Sequence, residues 1–132
     1  MKIKNYITAA VILLVLDLLW LKIYMSGQYQ TMVVNIQSKQ MSVNIPSAIA
    51  AYSLMIFGLC WFVIQNIDEA ADVGEKARES FLYGGLFGLM VYGIYNFTAA
   101  AVFKNWSSKT LVMDIIWGVI VYSLAAFIGS LV

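Results

Sequence analysis

"LVMDIIWGVIVYSLAAFIGSL", residues 111 to 131, is long and apolar enough to cross a bilayer as a single helix, for which about 20 predominantly apolar residues suffice. Its one charged residue is Asp114, placed three positions before Trp117 and followed by Gly118. Read as a membrane span, this segment sets the frame for the rest of the chain. Three further apolar runs have nearly the same length: Tyr6 to Met25, Ile45 to Gln65 and Phe81 to Phe103. The connectors between them, 26 to 44, 66 to 80 and a very short one around "KNWSSKT", are too short for anything but antiparallel neighbours. The expected fold is therefore all-α: one domain over residues 1–132, an integral multi-pass membrane protein with four transmembrane helices in an up-down-up-down bundle and both termini on one side.

Composition points the same way. Of 132 residues, 62% are hydrophobic and only 11% charged, whereas soluble chains run near a quarter charged. Net charge is +1 with no basic block, so nucleic acid is not an expected partner. With no histidine and a lone Cys60, the imidazole base, the intrachain disulfide and the usual zinc and iron sites are excluded; no metal or cofactor is expected.

Local signals mark the boundaries. Asn44 followed by Pro46 suits the start of the second helix. Asp72 and Glu75 have capping-box spacing, so the third helix is expected to begin in water ahead of its apolar run. In the first connector, Tyr29, Met32, Val33 and Ile36 have the spacing of a short surface helix, with an irregular loop as the alternative. The start "MKIKNYITAAVILLVL" has the form of a signal peptide, but Asp17 and the continuing "LLWLKIYM" favour a retained span. Lys2, Lys4, Lys76 and Arg78 on the terminal side, against Lys22, Lys39, Lys104 and Lys109 opposite, tilt the termini slightly toward the cytoplasm. The sequons at Asn96 and Asn105 lie in or against the membrane and are poor glycosylation sites.

An ionised group in the hydrocarbon region costs about 2.5–3.5 kcal/mol on insertion scales, which drives it toward the bundle interior. Asp17, Trp20 and Tyr24 share one face of the first helix, and Asp114, Trp117 and Gly118 one face of the fourth. The third adds Tyr92, Tyr95, Asn96 and Thr98. At a rise of about 1.5 Å per residue, Asp17, Asn96 and Asp114 all fall in the half of the bilayer away from the termini. The nine of these other than Gly118 are expected to form one polar ligand-binding cluster. Two plainer readings exist: Asp beside Trp as interfacial anchoring, or a buried acid stapling helices through Tyr95, Asn96 or Thr98. Gly84, Gly88, Gly93 and Gly118 are expected at helix contacts.

"YGIYNFTAAAVFKNW" followed by "MDIIWG" resembles the signature of a family of small predicted membrane proteins of unknown function from bacteria and some large DNA viruses. That signature reads Y-G-x-Y-D-x-T-N-x-A, a tryptophan, then D-x-x-W-G, with an early D-x-x-W. Tyr92, Gly93, Tyr95, Thr98, Ala101, Trp106, Asp114, Trp117 and Gly118 match it, as do Asp17 and Trp20. Asn96 stands where the family has aspartate and Ala99 where it has asparagine, which removes an acid from the third helix. The resemblance implies four helices and no particular activity.

Three functions follow from these residues. The first is an intramembrane acidic cluster that binds or translocates a small cation, proton or solute. The alternative is a non-catalytic structural or assembly component of a membrane complex or virion membrane. A lipid-modifying enzyme using an acid as general base is the least supported, so no catalytic residues are assigned. The expected partners are the lipid bilayer and a second copy of the chain or another membrane protein.

Overall fold

The computed structural model describes residues 1–25, 27–28 and 44–132. Tyr29, Met32, Val33 and Ile36, the expected surface helix, lie outside the described residues. Four helices are long and apolar enough to cross a membrane: α1 (Ile3–Met25), α2 (Ile45–Asn66), α3 (Val73–Val102) and α4 (Ser108–Leu131). Three of them contain a π-helical turn, at Leu21–Met25, Leu59–Val63 and Ser80–Gly84.

The ends are set by side chains that satisfy the first free N–H groups of each helix. Asn44 accepts from the Ser47 N–H at 3.1 Å, with Pro46 in the first turn of α2. Asp72 accepts from the Glu75 N–H at 2.8 Å, so α3 begins at Val73, well ahead of its apolar run. In those first turns Arg78 pairs with Glu75, and its hydrogen bonds hold the Glu75 carboxyl below the ordinary carboxylate range. Ser107 caps α4.

α4 lies at the centre, packed against α1 on one side and α3 on the other. Between lipid-clad helices there is little hydrophobic drive to associate, so close packing and polar bonds carry the contact. Glycines supply the closeness. A Cβ at Gly88 would run into the Gly118 carbonyl, and one at Gly84 would sit 2.8 Å from the Tyr122 carbonyl oxygen. Against α1, a Cβ at Gly129 would lie 2.6 Å from Ala9 Cβ, while the Asn5 amide donates to the Gly129 carbonyl at 2.8 Å. Gly93 does not belong to this set: a Cβ there would meet nothing within 4 Å. It follows Tyr92 directly and so points about 100° away from the Gly84–Gly88–Tyr92 row.

α2 behaves differently along its length. Leu59, Val63 and Ile64, with Ile67 just past its end, are buried in the core formed by the other three helices. Between Ile45 and Gly58 only Gly58 is buried. A Cβ at Gly58 would strike the Phe87 ring, and the Leu59–Val63 turn that follows packs against Ser80–Gly84 of α3. Toward Ile45 the first half of α2 leans away and leaves a wedge-shaped gap. Large apolar side chains such as Ile7, Val11, Leu54, Leu86, Ile94 and Phe97 cover the outer surface, as suits hydrocarbon surroundings.

Candidate functional site

Asp17 sits two turns from the far end of α1, and Asp114 about two turns into α4. Both are buried, at 4% and 2% exposure. Because α1 and α4 run antiparallel, position 17 faces 117 and position 20 faces 114. The two Asp-x-x-Trp segments therefore exchange partners: the Trp117 indole N–H donates to Asp17 Oδ1 at 3.0 Å, and the Trp20 indole N–H donates to Asp114 Oδ1 at 3.2 Å. The two indoles stack, with centroids 4.8 Å apart and planes 8° from parallel, and Tyr24 stacks on the outer side of Trp20 at 4.5 Å.

Two phenols complete the surroundings of Asp17. Tyr92 from α3 donates to Oδ1 at 2.5 Å, and Tyr52 from α2 donates to Oδ2 at 2.7 Å. Every helix of the bundle thus touches this one carboxylate. An ionised carboxylate offers about four acceptor positions. Three are taken by neutral donors, and among the described residues Asp17 forms no ion pair.

Asn96 is fully buried and links the second acid to α3. Its amide donates to Asp114 Oδ2 at 2.7 Å and to the Tyr92 carbonyl at 2.9 Å, and its oxygen accepts from the Trp106 indole at 3.4 Å. An aspartate here would bring a like charge against Asp114; the amide brings a donor instead.

Beside these groups lies a cavity of about 560 Å³ in the wedge between α2 and α3. Asp17, Asp114, Tyr52, Tyr92 and Tyr95 line one end of it, and Leu54, Met55, Phe87 and Val91 line the other.

The structure brings together eight of the nine residues expected to cluster. Tyr95 borders the cavity and meets Trp106 edge-on at 6.1 Å. Thr98 is the exception: it is exposed and lies beside Ile94, Val102 and Phe103 on the outer surface. Two helix positions beyond Asn96, it points to the opposite side, as i,i+2 residues do. Tyr52 was not anticipated. A lone tyrosine in an apolar run looks like an interfacial anchor, and the available hint was depth, since it lies as far into α2 from the far end as Asp17 does in α1. Trp106, present in the signature, joins the site by donating to the Asn96 oxygen and by meeting Tyr95. Among the described residues, no three His, Cys, Asp or Glu side chains gather where they could hold a metal.

Four spanning helices around a shared, buried acidic site define a small multi-pass integral membrane protein. Residues 2–131 match DUF2177, a family described as "Predicted membrane protein", and the chain belongs to it. No curated protein and no solved structure matches the chain.

Proposed function

We propose that the protein binds a small cationic or protonatable solute inside the membrane, with Asp17 as its counter-ion. The observation that carries this reading is a buried carboxylate, held by three neutral donors, at the border of a cavity of about 560 Å³. Burial makes an uncompensated charge expensive, so a cation arriving at Asp17 gains more there than it would in water. The tyrosine rings that line the cavity add cation–π attraction. Movement of the solute across the membrane would extend the same chemistry, and a second copy of the chain or another membrane protein would give it a wider path than four helices alone. The reading is non-enzymatic, and the lysine and arginine bias supports cytoplasmic termini.

Methylammonium binding to the full chain in lipid nanodiscs tests it. Asp17→Asn, which keeps shape and most hydrogen bonding, should abolish saturable binding; unchanged binding would overturn the proposal.

A second reading, an assembly component of a membrane complex, draws support from the crossed Asp–Trp bonds, which fasten α1 to α4 whatever else the acids do. On that reading Asp17→Asn lowers the melting temperature in detergent, and the unaltered chain binds no methylammonium.

A further inference from the structure

The shape of the cavity narrows the class of ligand. Its acidic end, at Asp17 and Asp114, lies roughly 10 Å below the far end of the bundle, about two helical turns in. Val91 is level with Tyr92, the phenol that meets Asp17, and Phe87 lies about 7.5 Å deeper along α3, toward the middle of the bilayer. A hydrated inorganic ion would leave that apolar end unfilled, and a proton needs no cavity at all. At one side the wall is Ala51 and Leu54, both exposed, with Leu54 at 71%, so the gap opens onto lipid rather than only along the bundle axis.

Building on the cation-site reading, we propose that the occupant is a single-chain cationic amphiphile, an alkyl ammonium, which enters sideways from the bilayer between α2 and α3. Its ammonium takes the open acceptor position on Asp17 Oδ2, beside the Tyr52 hydroxyl. Its chain runs past Met55 and Val91 to Phe87. This is the orientation such a molecule already has in that leaflet, head toward the surface and tail toward the midplane, so entry requires a lateral step without a flip. Charge decides between amphiphiles. A carboxylate or phosphate headgroup would face two aspartates, and among the described residues the lining holds no Lys or Arg to receive it. Most ligand pockets of about 300–1,000 Å³ combine an apolar wall with a few convergent polar groups, and this one fits that pattern.

Radiolabelled dodecylamine, added to the full chain in phosphatidylcholine nanodiscs with empty discs as the partition control, tests the proposal. Saturable binding is expected, displaced at least tenfold better by unlabelled dodecylamine than by dodecanol or methylammonium. Leu54→Trp, at the lipid-facing mouth, should weaken it at least fivefold, while Ile94→Trp, exposed on another face of α3, leaves it unchanged. Equal displacement by dodecanol would show an ordinary chain-binding groove and overturn the cationic class. Equal displacement by methylammonium would overturn the amphiphile and leave the cation site standing. No effect of Leu54→Trp would remove the route between α2 and α3 and overturn the proposal as stated. Failure of both amines to bind would sink the cation site with it. The ligand series runs on the unaltered chain, so it decides the class whether or not a variant folds.

Discussion

Trp117 and Tyr92 both donate to Asp17 Oδ1, yet they differ in what else they hold. Trp117 also stacks on Trp20, and Tyr92 also sits beneath Gly118, where a Cβ would come within 2.5 Å of the Tyr92 ring. Removing one donor from a charged acceptor typically costs about 1–3 kcal/mol. Tyr92→Phe keeps the ring and deletes only the hydroxyl, so a loss of that size in detergent unfolding isolates the bond to Asp17. Tyr52→Phe should cost less, because Tyr52 is only partly buried and belongs to the part of α2 that leans away. A Tyr52→Phe loss equal to that of Tyr92→Phe would contradict this ordering. Trp20→Phe and Trp117→Phe each delete one crossed bond and share the stack, so their combined effect should depart from the sum of the singles by at least about 0.5 kcal/mol. Simple additivity would mean that the two Asp-x-x-Trp segments do not act as a unit.

Along α3, two glycines five residues apart make opposite predictions. Gly88 lies against the Gly118 carbonyl, so Gly88→Ala forces the α3 and α4 backbones apart and should cost about 1–3 kcal/mol by overpacking. Gly93 has open space where its Cβ would be, so Gly93→Ala should be neutral or raise helix stability by up to about 1 kcal/mol. Paired melting curves of the two variants check this; a larger loss at Gly93 would mean that the α3–α4 contact is misassigned. The Gly84–Gly88–Tyr92–Asn96 row was legible from spacing alone, because residues four apart share a helical face. Thr98 and Gly93 lie off that row by the same geometry, and grouping them by nearness in sequence obscured it. The lean of α2 was not legible. Both halves of α2 are apolar, and a leucine is as comfortable in lipid as against another helix, so the chain carries no mark of where α2 leaves the bundle.

The four helices alternate in direction, which puts residues 3 and 132 at one end of the bundle, where the Asn5 amide reaches the Val132 carbonyl at 3.1 Å. Single cysteines at those positions, in a Cys60→Ser background, should label from the same side of a sealed vesicle; labelling from opposite sides would refute the topology. At this scale the amino-acid sequence by itself determined much. Four long apolar runs separated by short connectors admit only an antiparallel helical bundle, since backbone polar groups in hydrocarbon must be satisfied within each span. The cost of burying a charge turned Asp17 and Asp114 inward, and helical rise placed them with Asn96 at one depth. Only the tertiary structure decided who meets whom. Asp17 pairs with Trp117 rather than with its own neighbour Trp20, and Tyr52 reaches in from α2, because facing positions depend on the register between helices. That register follows from where backbones can touch, at Gly129 on Ala9 and Gly88 on Gly118. Such contacts join residues more than a hundred positions apart in one case and thirty in the other, and no local pattern in either helix records its partner.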